Sequence, residues 1–176
     1  MIRAVVIALL FAACDDGRRA TVAPQDRAGP VSQELLLSLA QVRALHHQAD
    51  AFLQIGEVDA AIVAVSRVLD VSFPAGAEEA EDTRIDARAR LAKLHLGRGR
   101  PDEARRVIDE GFRAATRESF FLANLAQVSG EVHEAEARRQ TDPEAGRREL
   151  RAALADYDKA VQIAERIQQR LLKEGR

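Results

Sequence analysis

Apolar residues recur at steps of three and four over most of the chain beyond residue 30. This spacing is typical of amphipathic helices, which bury one stripe. The first run ends before Gly56 and consists of Val31, Leu35, Leu39, Val42, Leu45, Ala49 and Phe52. Glycine and proline separate it from five further runs. The pattern predicts an all-α chain, without a convincing strand, and helices at about 32–55, 58–72, 78–97, 101–114, 117–140 and 143–173.

The fifth predicted helix contains one ambiguous residue. Its apolar stripe runs from Phe121 to Ala135 and passes across Gly130, although the residues after Gly130 are similar to those after the turn residue Gly56. We favour a continuous helix, in which glycine costs about 1 kcal/mol relative to alanine. The sixth helix is the longest, and its predicted buried stripe is Leu150, Leu154, Tyr157, Val161 and Ala164.

Aligning Gly56 with Gly99 brings two pairs of helices into the same register. The segment Ala61-x3-Val65 then matches Ala104-x3-Ile108, with a small residue followed four positions later by a bulky one. These features resemble the tetratricopeptide repeat, and residues 153–163 are similar to the second helix of that family. The two glycines lie further apart than the family's period of about 34 residues. An unrelated all-α bundle with alanine and leucine periodicity is the alternative.

The resemblance implies a short α-solenoid of about three helical hairpins, ending in a long C-terminal helix. In that family, the first helix of each hairpin lines a concave groove that binds an extended peptide or a helix. Carried over by position, the groove residues of this chain are Arg43, His46, Asp50 and Leu53 in the first hairpin, and Asp86, Lys93 and Leu96 in the second.

The N-terminus has a different pattern. Arg3 is followed by ten apolar residues, and Ala12 and Ala13 directly precede Cys14. This layout resembles a bacterial lipoprotein signal, although Phe11 departs from the family's usual aliphatic residue. A run of ten residues spans only about 15 Å as a helix, too short for a bilayer core of about 30 Å. An uncleaved membrane helix and a buried core helix are the alternatives.

The resemblance to lipoproteins implies three regions. Residues 1–13 would be a removed signal peptide, 14–30 a lipidated cysteine and flexible tether, and 31–176 the helical domain. The protein would then face the periplasm in a bacterial cell envelope, held to the membrane by lipid at Cys14. Asp15 matches an inner-membrane retention rule of one bacterial group only, so inner and outer membrane both stay open.

Composition excludes several function classes. The chain has 176 residues and a formal net charge of −2, with charges of both signs interspersed. We expect no nucleic-acid partner, because such partners require a clustered basic surface. A single cysteine excludes an internal disulfide and a multi-cysteine metal site. Apolar residues make up 47% but aromatic residues only 4%, so the core is built from aliphatic side chains and alanine.

No motif for catalysis, cofactors or metals is found. His46 and His47 are adjacent, so on a helix they point about 100° apart and cannot chelate one ion. His95 occupies an aromatic core position of the repeat, and the acidic neighbours of His133 indicate a solvated helix face.

We therefore expect a binding protein without enzymatic activity, a cofactor or a metal. It would be a scaffold or adaptor for a protein partner in an envelope complex. A self-associating structural envelope component is the second hypothesis and a motif-free enzyme the third. The sequence leaves the oligomeric state open.

Overall fold

The computed structural model describes residues 32–175, which contain six α-helices and no strand. The all-α prediction is therefore confirmed, and each helix begins and ends within a few residues of its predicted bounds. The second helix continues into a short 3-10 turn at Arg67–Asp70. The helices are α1 (Gln33–Gln54), α2 (Val58–Ser66), α3 (Glu78–Gly97), α4 (Pro101–Ala114), α5 (Phe120–Arg139) and α6 (Pro143–Glu174).

The turns after α1 and α3 have the same geometry. Gly56 and Gly99 adopt φ angles of +81° and +69°, a left-handed conformation in which glycine has no steric cost. The next amide N–H bonds back across each turn, Glu57 to Phe52 at 2.8 Å and Arg100 to the carbonyl of His95 at 2.9 Å. This pattern satisfies the last carbonyls of each helix. The sequence alignment of the two glycines therefore corresponds to a repeated turn.

Side chains cap the starts of three helices, α1, α5 and α6. Ser32 accepts a hydrogen bond from the amide of Leu35 at the start of α1, and Ser119 accepts one from Leu122 at the start of α5. Asp142 accepts from the amides of Glu144 and Ala145 at the start of α6. A side chain at this position binds N–H groups that have no partner within the helix. These caps fix where the last two helices begin.

Two hydrophobic clusters share α3. Ala87 and Leu91 pack into the first, with buried residues of α1 and α2, whereas Ile85 and Ala92 pack into the second, with α4 and α5. The helix is therefore buried on two sides, and its sequence carries no single apolar stripe. It also contacts α2, α4 and α5. Helix α3 thus joins the first hairpin to the rest of the domain.

Alanine marks the places where hairpin helices contact each other. Ala61 of α2 and Ala104 of α4 are both completely buried. The bulky residues four positions later, Val65 and Ile108, are also buried. A small residue allows two backbones to approach, and the larger one fills the adjacent space. The two positions predicted to be equivalent are equally buried.

A carboxylate of α3 holds the loop between α4 and α5. Glu81 accepts hydrogen bonds from the backbone amides of Thr116 at 2.8 Å and Arg117 at 3.3 Å. Burial alone would raise the pKa of Glu81, but these hydrogen bonds outweigh it and lower the pKa. Arg117 also binds Asp82 at 2.5 Å. The start of α5, including Phe121, is thereby fixed beside α3.

Gly130 lies inside α5, which confirms the prediction of a continuous helix. A Cβ atom there would lie 2.7 Å from Cζ and 2.8 Å from Cδ1 of Tyr157 on α6. The tyrosine hydroxyl donates a hydrogen bond to Glu134 at 2.9 Å, and burial raises the pKa of Tyr157 to about 12. Glycine is therefore needed where the ring packs directly on the α5 backbone.

The predicted buried stripe of α6 is wrong for most of its residues, although its Tyr157 packs on α5. Leu150, Leu154 and Val161 are 48%, 62% and 56% exposed, whereas Ala153 and Ile163 on another face are buried. The tyrosine ring and a group of charged side chains make part of the contact between α6 and α5. Sequence periodicity correctly identified an apolar stripe on α6, but most of this stripe faces solvent and not the core.

None of the helices within residues 32–175 is both long enough and apolar enough to cross a bilayer. Cys14 and the predicted tether lie outside the described residues.

Candidate functional site

A cavity of about 380 Å³ opens between α1, α3 and the start of α5. We call it the α1/α3 cavity. Four of the seven predicted groove residues line it, namely Arg43, His46, Asp50 and Asp86. Its other lining residues are Leu39, Val42, His47, Thr83 and Phe121. The cavity therefore combines charged side chains with an apolar wall.

Arg90 organises the charged side of the cavity from α3. Its Nη1 donates to Nδ1 of His46 at 2.9 Å, and its Nη2 donates to Oδ1 of Asp50 at 2.5 Å. His46 and Asp50 are one turn apart on α1, so a single guanidinium reaches both. The ion pair is partly exposed and contributes little to stability by itself. Its main consequence is that the two α1 side chains are held in fixed positions.

The contact with Arg90 determines the hydrogen-bonding capacity of His46. A guanidinium has donors only, so Nδ1 must accept and the hydrogen of the neutral ring is on Nε2. Burial lowers the pKa of His46, and the positive charge of Arg90 lowers it further. The ring is therefore a neutral donor without a free basic nitrogen. This arrangement is suited to recognition and unsuited to proton abstraction.

Asp86 is the half-buried carboxylate of the cavity. Burial raises its pKa, although His46 and Arg90 act in the opposite direction. Among residues 32–175, it forms no salt bridge. A carboxylate without a direct cationic partner, in a cavity and with a perturbed pKa, is a typical feature of binding sites. A basic group entering the cavity would find its counter-charge here.

The apolar wall comes from different elements. Leu39 and Val42 lie one turn apart on α1, and Phe121 comes from the first turn of α5. Ligand sites typically combine such a wall with a few oriented polar groups. The arrangement can hold an apolar side chain next to a positively charged one.

Three of the predicted groove residues do not line the cavity. Leu53 packs against the first hydrophobic cluster and Leu96 against the second. Lys93 forms a salt bridge with Glu131 of α5 at 3.5 Å. The apolar residues that line the cavity are instead Leu39, Val42 and Phe121. Phe121 belongs to α5, a helix for which the resemblance to the repeat predicts no groove residue.

Sequence reasoning also missed Arg90 and Thr83. Arg90 is four residues after Asp86 on α3, a spacing that places both on one helix face. The sequence shows this spacing. It does not show the contact of Arg90 with α1, because that contact joins residues from two separate hairpins.

A second polar cluster joins α4, α5 and α6. Arg105 forms salt bridges with Glu136, and with Glu149 at 3.4 Å. Nδ1 of His133 lies 2.7 Å from Oε2 of Glu149, and Nε2 lies 3.6 Å from Asp156. The side chain of His133 is only 16% exposed, so its interpretation as part of a solvated face is wrong. We call these five residues the Arg105 cluster.

The Arg105 cluster contains groups that could ligate a metal. Ligand atoms of His133, Glu136 and Glu149 all lie within 4.8 Å of one another. Nη2 of Arg105, however, lies 3.0 Å from Nδ1 of His133 and contacts both carboxylates. A guanidinium thus provides the positive charge where a metal ion would otherwise bind. We interpret the cluster as the polar contact that holds α6 against α4 and α5.

His95 is partly buried, as the repeat position predicts. Its Nδ1 atom is buried without a hydrogen-bond partner, and burial lowers its pKa. An unpartnered nitrogen is consistent with a neutral, packed ring.

The cavity and the cluster differ in what they can do. In the Arg105 cluster the arginine already pairs with the carboxylates, whereas the α1/α3 cavity is open and contains a carboxylate that has no ion-pair partner among residues 32–175. Comparison with protein-family models, with curated proteins and with solved structures finds no match to this chain. The α1/α3 cavity is therefore the candidate site on the geometry of the described residues.

Proposed function

We propose that this protein is a scaffold or adaptor that binds a segment of another protein in the α1/α3 cavity. In this proposal it is a tetratricopeptide-like lipoprotein, anchored through Cys14 and facing the periplasm. In this proposal its role is binding, and His46, whose Nδ1 accepts from Arg90, serves as a hydrogen-bond donor.

One observation carries the proposal. Four residues chosen from the groove pattern of the repeat, three from the first hairpin and one from the second, line one cavity. The repeated turns at Gly56 and Gly99 and the contacts of α3 with α2, α4 and α5 also agree with stacked hairpins. Stacked hairpins characteristically present a surface formed by several first helices.

The chemistry of the cavity indicates the kind of segment that binds. Asp86 would receive a lysine or arginine side chain, and the Nε2–H group of His46 would donate to a backbone or side-chain oxygen. An adjacent apolar side chain would pack against Leu39 and Phe121. A segment that alternates a basic and an apolar residue fits better than an acidic one.

Site-specific photo-cross-linking in cells tests the binding site. A photoreactive amino acid at Arg43, in the cavity, should give a discrete adduct with one protein. The matched control is the same substitution at Arg113, an exposed arginine of α4 that does not line the cavity. Asp86→Asn should reduce the adduct by about tenfold or more, since a buried charge pair would be lost. Equal adducts from both positions, or an adduct that Asp86→Asn leaves unchanged, would contradict the proposed site.

The anchor is tested separately. Cys14→Ser should release the protein from membranes or leave it with an uncleaved signal, because the residue would no longer accept lipid. Wild-type fractionation and electrophoretic migration of Cys14→Ser would refute the anchor while leaving the binding site unaffected.

A further inference from the structure

We propose that the outer face of α6 is a self-association surface, on which a second copy of this chain packs with its α6 antiparallel. This inference is independent of the α1/α3 cavity, and it identifies the occupant of an apolar face that no described element covers.

The apolar character of this face is concentrated on one side of the helix. Leu150, Leu154 and Val161 are each about half exposed or more. At about 100° per residue, the three side chains fall within roughly 40° of one another. We call them the outer stripe. Single exposed leucines are ordinary, but an aligned set on one helix face indicates an interaction surface.

The outer stripe does not compete with the fold. The face that packs on α5, centred on Ala153 and Ile163, lies roughly a third of a turn away around the helix. The same helix can therefore keep its contact with α5 while its outer stripe contacts another molecule.

The charges beside the outer stripe favour an antiparallel second copy. On one flank, Arg147 and Arg151 occupy the N-terminal half, and Asp158 and Glu165 the C-terminal half. When two identical helices pack antiparallel, the same flank of each faces the other. Each basic half would then face an acidic half. In a parallel pair this flank would face Tyr157, Ala153 and Ala164, which carry no charge.

The charges and the apolar residues agree on a single register. Placing Leu150 of one copy opposite Val161 of the other brings Leu154 opposite Tyr157, a partly buried residue whose ring also packs on α5. The same register places Arg147 next to Glu165 and Arg151 within one helical turn of Asp158. Among residues 32–175, Arg151, Asp158 and Glu165 form no salt bridge, and Arg147 has only an exposed partner one turn away on the same helix.

Sedimentation of the full chain in detergent tests whether the stripe mediates association. We expect a concentration-dependent monomer–dimer equilibrium, and Leu154→Lys should weaken it by about tenfold or more, since a buried apolar contact becomes a buried charge. Val63→Lys is the matched control, because Val63 is 61% exposed and Leu154 is 62% exposed. Circular dichroism at concentrations where both variants are monomers should show equal melting.

Charge exchange tests the antiparallel arrangement. Arg147→Glu with Arg151→Glu makes the flank wholly acidic, and Asp158→Arg with Glu165→Arg makes it wholly basic. Each double variant alone should dimerise about tenfold or more weakly, and an equimolar mixture of the two should recover the dimer. A monomeric wild type, equal dimers of Leu154→Lys and Val63→Lys, or a mixture no stronger than either double variant would overturn the proposal.

Discussion

Replacing Gly130 with alanine tests the contact that positions α6. The added methyl group would overlap the ring of Tyr157, whose Cζ and Cδ1 atoms lie 2.7 Å and 2.8 Å from the Cβ position. Ordinary contacts between carbon atoms are about 3.5–4.0 Å. The ring, or the whole of α6 at this level, would have to move away by about 1 Å, which weakens the hydrogen bond from Tyr157 to Glu134.

Two opposing effects determine the size of the change. Alanine favours a helix interior by about 1 kcal/mol over glycine. Overpacking costs about 1–3 kcal/mol, and a weakened hydrogen bond adds about 0.5–1.5 kcal/mol. We therefore expect Gly130→Ala to lower the free energy of unfolding by about 1–2 kcal/mol, or the melting temperature by a few degrees at about 2–4 °C per kcal/mol.

Urea denaturation provides the assay, and Gly146→Ala provides the matched control. A Cβ atom at Gly146 in α6 would lie 3.5 Å from the carbonyl oxygen of Ala137, an ordinary contact. Only the helix preference then applies, so Gly146→Ala should raise stability by up to about 1 kcal/mol. The two substitutions are chemically identical, and their difference therefore reports the local contact.

A double-mutant cycle with Tyr157→Ala completes the test. Without the ring, Gly130→Ala should become stabilising, with a coupling energy of about 1–3 kcal/mol. Stabilisation by Gly130→Ala in the wild-type background, equal to that of Gly146→Ala, would refute the close approach of the two helices.

Three further predictions concern other parts of the domain. Ala61→Phe and Ala104→Phe should each lower the free energy of unfolding by about 1–3 kcal/mol in urea titrations. Ala155→Phe, on an exposed face of α6, should leave it unchanged, and equal stabilities of the three variants would contradict the packing of the two hairpins. Folding lowers the pKa of His46, so the unfolded chain binds the proton at a higher pH and stability should fall as pH drops below about 6.5. His46→Gln should flatten this part of the curve of melting temperature against pH, and an unchanged curve would refute the prediction. Arg105→Met leaves the partly buried Glu136 without its cation and should lower the free energy of unfolding by about 1–3 kcal/mol. Arg139→Met should lower it less, because its partner Asp102 is exposed, and equal losses would contradict the role of the cluster.

The sequence determined the helices because the signals for them are local. Each signal involves residues that are close together in the sequence. These signals are the apolar periodicity, the glycines of the two repeated turns and the residues at the helix starts. The buried alanines of α2 and α4 were also found locally, since the same short pattern occurs twice. The continuity of α5 across Gly130 followed from the stripe on either side of it.

The candidate site was only partly predictable. The groove positions on α1 and α3 came from the resemblance to the repeat, and four of them line one cavity. Arg90 and Phe121 were missed, because their roles depend on how α3 and α5 pack against α1. His133 was misread for the same reason, since its partners Arg105 and Glu149 lie on other helices.

Tertiary structure alone decided which face of α6 is buried. The sequence of α6 offers an aliphatic stripe at Leu150, Leu154 and Val161, and a less apolar face around Ala153 and Ile163. Hydrophobicity by itself selects the first, but the bare backbone at Gly130 accepts the ring of Tyr157, and Arg105 and His133 pair with Glu149. These contacts join residues far apart in the chain, and a periodic pattern within one helix carries no information about them. The sequence thus determined that α6 is an amphipathic helix, whereas its neighbours determined which side they cover.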